Sequence, residues 1–132
     1  MSNMEKQIIF WQNSADESWT TAEMLFKSKR YNHCLFFCHL TLEKCLKGLI
    51  VAKTKTAAPY IHDLEKLAIM TKLKFSPDQL KDLRVITKFN ISARYENIKL
   101  DFYKICTKDY AKNYFNISNQ LFLWLKKQYR KK

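Results

Sequence analysis

The chain has 132 residues, with 24 lysines and arginines against 12 aspartates and glutamates and a formal net charge of +12. Its length suits one domain over residues 1–132, and an apolar fraction of 47% excludes a disordered tail. One glycine and two prolines are too few for the tight turns of a β-sandwich or barrel. We therefore expect a small all-α protein. Because we expect no membrane span and no secretory signal, we place it in the cytoplasm.

The positive charge follows the first helix-length segment, because Lys6 is the only basic residue before Lys27. Such an excess attracts polyanions, including nucleic acids and nucleotides, and makes their association depend on salt. Only four of the basic residues are arginines, however, and lysine is also the usual residue of a solvated helix face. Charge alone therefore leaves a polyanionic partner and an ordinary solvated surface both open.

The first two predicted helices form a hairpin, one from Lys6 to Lys27 and the other from Tyr31 to Lys53. In both segments apolar residues recur at spacings of three and four, and only a few residues separate them. The second helix carries the seam of an antiparallel pair, which comprises Leu35, Cys38, Leu42, Cys45, Leu49 and Ala52.

Cysteines share this second helix at buried-face spacing, with Cys34, Cys38 and Cys45 four and seven residues apart. We expect reduced core thiols and a reducing compartment rather than disulfides. Half of a metal site, made by Cys34 and Cys38 with His33 or His39, is the less favoured alternative, so no metal is expected.

Two more helices follow, and their starts are marked by capping residues. A short helix is predicted from His62 to about Lys72, after Pro59 breaks the preceding period. The sequence Ser76-Pro77-Asp78-Gln79 combines an N-cap, a proline at the first helical position and a glutamine three residues after the cap. This combination predicts the start of a fourth helix, which has Leu80, Leu83, Ile86 and Asn90 on one face.

The last predicted helix starts after Thr107 and ends near Gln128, while the segment from Ser92 to Cys106 shows no clear period. The resulting prediction is an up-and-down bundle of four long helices and one short helix. The last helix is apolar on more than one side, through Phe115, Phe122 and Leu125. A homodimer interface or a thick monomer core would each use this surplus.

Catalytic templates mostly fail in this sequence. Gly48 is the only glycine, so neither a P-loop nor a dinucleotide fingerprint is possible, and no cofactor is expected. On the second helix, however, His39, Glu43 and Lys47 follow each other at intervals of four residues. Such neighbours form a ladder of ion pairs, either as an ordinary exposed row or as part of a site.

Further motifs surround this ladder in a fixed order. They are Trp11 and Ala15 on the first helix, Tyr31 at the turn, His39, Glu43, Lys44, Leu46, Lys47 and Leu49 on the second helix, His62-Asp63-Leu64, and Arg94-Tyr95. The ordered set, which spans nearly the whole chain, resembles the HEPN family. These small prokaryotic helical domains are often nucleotide- or RNA-binding partners of minimal nucleotidyltransferases.

The resemblance implies a four- or five-helix bundle that dimerises, with the polar cluster in a cleft between helices or subunits. Many members are metal-independent ribonucleases in which a histidine follows an arginine after four to six residues. This chain lacks that motif, because no histidine follows Arg94 and neither Arg30 nor Arg84 is followed by one at that spacing. Glu96 also stands where related Arg-Tyr sequences commonly have proline. The resemblance therefore favours binding over cleavage.

We accordingly expect a non-catalytic nucleotide- or RNA-binding module that acts as a homodimer, without a metal or a membrane. Its expected partner is a separately encoded minimal nucleotidyltransferase, in a toxin–antitoxin or regulatory pair. The candidate ligand-binding residues are His39, Glu43, Lys44, Lys47, His62, Asp63, Arg94 and Tyr95.

Two residues of this set suit a nucleotide chemically, since Arg94 offers a planar fork for phosphate and Tyr95 a face for stacking a base. Structural roles are the alternatives to ligand binding: Arg94 would pair with Glu43, Tyr95 would lie in the core, and His62 would cap its own helix. Two other functions also remain: a divergent ribonuclease that uses Arg94 with His39 or His62, and a structural partner protein with a basic surface.

Overall fold

The computed structural model describes residues 1–92 and 96–131, and the side chains of these residues outside 91–100. All regular structure in the described ranges is helical, which confirms the predicted helical bundle. The elements are α1 (Asn3–Lys27), α2 (Tyr31–Thr54), α3 (Leu64–Met70), α4 (Pro77–Ser92), α5 (Glu96–Ile105) and α6 (Lys108–Gln128). None of the helices, over the residues described, is long and apolar enough to cross a membrane.

Helix α2 is the centre of the bundle, because α1, α3, α4 and α6 all pack against it. The first five residues of its predicted seam are at most 1% exposed, and only Ala52, near the end of the helix, is partly exposed. A helix surrounded in this way has no solvated face over most of its length. Polar residues in its middle are therefore buried along with the apolar ones.

Capping interactions fix where the helices begin, and two begin elsewhere than predicted. Helix α1 begins at Asn3 rather than Lys6, because the Ser2 hydroxyl accepts from the Glu5 amide at 3.1 Å and the Glu5 carboxylate accepts from the Ser2 amide. Helix α3 begins at Leu64 rather than His62, because the Asp63 carboxylate caps it.

The two later capping predictions are confirmed. Ser76 and Gln79 form a reciprocal capping box at the start of α4, with distances of 3.0 and 2.9 Å. The Thr107 hydroxyl accepts from the Tyr110 amide at 3.2 Å and so begins α6. The segment that the sequence left open contains α5, so the described chain has six helices rather than five.

The apolar surplus of α6 is covered within one chain. The ring of Phe115 stacks on Trp19 and on Phe26 of α1, each at a centroid distance of 4.8 Å. Phe122 and Leu125 are 2% and 0% exposed. Packing within one chain therefore accounts for these three residues, as a thick monomer core does, and the homodimer stays a prediction.

All four cysteines are buried as free thiols, which confirms the prediction that the spacing made for Cys34, Cys38 and Cys45. Burial raises the pKa of the Cys45 and Cys106 thiols to about 12, and the side-chain hydrogen bond with Cys34, together with burial, raises the pKa of Cys38. These thiols stay protonated at neutral pH and behave as small apolar side chains.

Candidate functional site

The ladder on α2 lies inside the bundle. His39, Glu43 and Lys47 are 0%, 6% and 5% exposed, so the alternative of an exposed salt-bridge row is wrong. Three polar side chains on one face of a central helix carry a large desolvation cost unless they satisfy one another. Their partners therefore decide what the face can do.

The Glu43 carboxylate holds two partners at hydrogen-bonding distance. Its Oε2 lies 3.1 Å from the Lys47 ammonium, and its Oε1 lies 2.9 Å from Nδ1 of His62. The Lys47 ammonium neutralises the buried carboxylate, and the His62 imidazole forms a hydrogen bond with its other oxygen. We call His39, Glu43, Lys47 and His62 the Glu43 network.

His39 positions the backbone of its partner histidine rather than the carboxylate. Its Nε2 lies 2.9 Å from the His62 carbonyl oxygen, whereas the Glu43 Oε1 is 3.8 Å away. Because a carbonyl oxygen only accepts, the neutral His39 ring must carry its hydrogen on Nε2. Its buried Nδ1 is then an unprotonated acceptor, for which the described residues supply no hydrogen-bond partner.

The same environment keeps the His39 ring uncharged. Burial lowers the pKa of His39 below its ordinary value of 6.5, although the His62 carbonyl and the Glu43 carboxylate act in the opposite direction. The His62 side chain, in contrast to that of His39, is 44% exposed. The network therefore joins a neutral buried imidazole, which anchors residue 62, to a second imidazole at the surface.

The lowered pKa of His39 predicts that the stability of the fold depends on pH. Since the folded pKa lies below the unfolded one, the unfolded chain takes up the proton first, and stability falls as pH drops below about 6.5. His39→Gln keeps an N–H donor for the carbonyl but does not titrate. Its free energy of unfolding, measured in urea, should fall less steeply, by up to about 1.4 kcal/mol per pH unit. Parallel curves for the two proteins would contradict this assignment.

An aromatic pair on α1 borders the network and was missed at the sequence level. The Lys47 ammonium lies 5.7 Å from the centroid of the Trp11 ring, and the Phe10 ring meets Trp11 edge-on at 5.2 Å. Phe10 is 61% exposed, so an aromatic ring is open to solvent next to Trp11. The sequence signal was the Phe10-Trp11 pair itself, of which only Trp11 was noticed.

Two predicted site residues have other partners in the structure. The Lys44 ammonium donates to the Ser18 hydroxyl of α1 at 2.8 Å, and partial burial lowers the pKa of this lysine. Asp63 accepts from the Lys66 amide as the N-cap of α3, a role that the sequence had offered to His62. Lys44 and Asp63 thus support the surroundings of the network rather than belong to it.

The last two predicted site residues, Arg94 and Tyr95, lie outside the described residues. Of the candidate ligand-binding groups, the imidazole and the carboxylate are therefore observed together, and the place of the Arg94 guanidinium stays a prediction. In the described part of the chain, no cluster of three or more histidine, cysteine, aspartate or glutamate side chains is arranged to hold a metal ion.

A family model of the HEPN domain matches residues 8–128, nearly the whole chain and every described part of the Glu43 network. The chain belongs to the HEPN family. Among the curated proteins no sequence matches it.

A solved structure has a similar fold. The crystal structure of TT1696 from Thermus thermophilus superimposes with a TM-score of 0.76, over 92% of this chain and 97% of the other. At 16% sequence identity, this likeness extends to the fold alone. Membership of the family supports a module related to nucleotides or RNA.

Proposed function

We propose that this HEPN domain, acting over residues 1–132, binds a nucleotide or single-stranded RNA at the Glu43 network without cleaving it. The observation that carries the proposal is the 2.9 Å contact between Glu43 and His62, which fixes a half-exposed imidazole at a buried carboxylate. A buried charge held in this way costs stability, and such costs are common at functional sites.

The surroundings of the network suit this ligand class. The exposed Phe10 ring offers a face on which an unstacked base can lie, and the His62 ring offers polar contacts. Arg94 is our candidate for the phosphate, and the net charge of +12 adds a long-range attraction for polyanions. The missing arginine–histidine motif favours binding over cleavage.

The assembly that we propose is a homodimer in the cytoplasm, which works with a separately encoded minimal nucleotidyltransferase in a toxin–antitoxin or regulatory pair. Four buried free thiols suit a reducing compartment. Light scattering tests the homodimer directly, and a monomer at high protein concentration would contradict it. Co-purification with a nucleotidyltransferase encoded beside this chain tests the pair.

Binding is tested by removing one imidazole. His62→Ala is expected to weaken binding of ATP or of a short single-stranded RNA at low salt by about tenfold, because a polar contact to a charged ligand is lost. His33→Ala is the matched control, since His33 is an exposed histidine of α2 with no part in the network. Equal affinities of the two variants would contradict the proposal. If neither ATP nor RNA binds, the structural partner protein becomes the better interpretation.

The contact between Glu43 and His62 also suits the alternative function of a ribonuclease. The Glu43 carboxylate accepts from Nδ1 of His62, and this carboxylate–imidazole arrangement also orients general bases in enzymes. Incubation with labelled RNA in the absence of metal separates the two functions. Cleavage that is lost in both His62→Ala and Arg94→Ala would favour the enzyme, and intact RNA bound by the protein would favour the module.

A further inference from the structure

The interface between α1 and α6 is closed on one side of Asp16 and open on the other. On one side of this residue the interface is closed by aromatic rings, where Trp19 stacks on Phe115 at 4.8 Å. On the other side, a cleft of about 310 Å³ opens between the first half of α1 and the end of α6. Its size falls at the lower end of the range typical of small-molecule sites.

The floor of the cleft is apolar and chemically inert. It is formed by Ala15, Cys45 and Phe122, which are 1%, 1% and 2% exposed. Because burial raises the pKa of the Cys45 thiol to about 12, this sulfur stays protonated and is not a nucleophile. The floor therefore suits a small hydrocarbon group and not a covalent reaction.

The side of the cleft formed by the end of α6 and the residues just after it carries positive charge through Lys126 and Arg130. The Lys126 ammonium lies 3.1 Å from the Asp16 carboxylate and 4.9 Å from the centroid of the Phe122 ring. The side chains of this ion pair are 48% and 52% exposed, so the pair contributes little to stability. An incoming anion can compete with Asp16 for the ammonium at small cost.

Hydrogen-bond acceptors also line the cleft. Asp16 faces it together with the amides of Gln12 and Asn13. The Tyr129 hydroxyl donates its only hydrogen to the Cys45 carbonyl at 2.6 Å, so towards a ligand it can only accept. Burial also raises the pKa of Tyr129, which keeps this hydroxyl protonated.

We propose that this cleft binds a small zwitterion, namely a free α-amino acid with an apolar side chain. The ligand carboxylate contacts Lys126 and Arg130, and its ammonium donates to Asp16 and to the Tyr129 hydroxyl. Its side chain covers the apolar floor. Cys45 and Glu43 are two positions apart on α2 and face different sides, so the cleft and the Glu43 network are separate sites.

The ligand class is tested with leucine and two truncated analogues. Calorimetric titration of the full chain should show saturable binding of L-leucine, and at least about tenfold weaker binding of 4-methylpentanoate and of 3-methylbutylamine. The first analogue lacks the ammonium and the second lacks the carboxylate. Analogues that bind as tightly as leucine would overturn the proposal, as would no binding of leucine, valine or phenylalanine at millimolar concentration.

Variants then locate the binding. Asp16→Asn and Arg130→Met should each weaken leucine binding by about tenfold. Glu23→Gln on α1 and Lys112→Met on α6 remove exposed charges of the same kind elsewhere, and should leave leucine binding unchanged. Unaltered affinity in Asp16→Asn, or equal losses in the control variants, would overturn the assignment. Urea unfolding of each variant confirms that it folds, and RNA binding at the Glu43 network should stay intact.

Discussion

Glu43→Ala is expected to lower the free energy of unfolding by about 3–5 kcal/mol, because it leaves a buried ammonium without its counter-charge. Lys47 is only 5% exposed, and its nitrogen lies 3.1 Å from the carboxylate. The same change removes the acceptor of the His62 imidazole. Urea unfolding of the wild type and the variant measures the loss directly.

Two further variants separate the buried charge from general packing. Replacing both Glu43 and Lys47 with methionine removes both charges and should recover most of the stability lost in Glu43→Ala. Arg84→Met breaks the exposed ion pair with Glu65 and should cost less than about 1 kcal/mol. A double variant as unstable as Glu43→Ala would show that the uncompensated charge is not the cause.

Gly48→Ala is expected to destabilise the protein by about 1–3 kcal/mol, even though alanine is the better helix former. An added Cβ would lie 2.9 Å from Cβ of Trp11 and would overlap the hydroxyl of Tyr129. The hydroxyl cannot easily withdraw, because it donates to the Cys45 carbonyl. Gly48 is thus needed for the close approach of α1 and α6 to α2.

The control for this prediction uses the overlapping hydroxyl itself. In the Tyr129→Phe background the oxygen is absent, so Gly48→Ala should cost less than it does in the wild type. Thermal or urea unfolding of the four proteins completes the cycle. A more stable Gly48→Ala protein, as for a glycine on an open helix face, would contradict the tight packing at this position.

Secondary structure was predictable where local chemistry decides it. Ser76 and Thr107 are side-chain caps, and the structure uses both of them. Helix α5 was not predicted, because the segment from Ser92 to Cys106 shows no clear period in the sequence.

The candidate site was predictable in its members but not in its burial. Spacing on α2 placed His39, Glu43 and Lys47 on one face, and the family resemblance added His62. Whether that face meets solvent depends on α1 and on the segment before α3, which approach it only in the folded chain. The cleft beside Asp16 depends on the spacing of two helices far apart in sequence, and no local pattern encodes this.

Proton NMR of the three histidines tests the central claim most directly, namely that a nucleotide or RNA ligand occupies the Glu43 network. The chain contains only His33, His39 and His62, so the ring signals can be assigned by substituting each histidine in turn. Addition of ATP or a short single-stranded RNA should shift the His62 ring signal progressively to saturation, while the exposed His33 signal stays in place. Binding that leaves His62 unmoved, or that shifts His33 instead, would contradict the account.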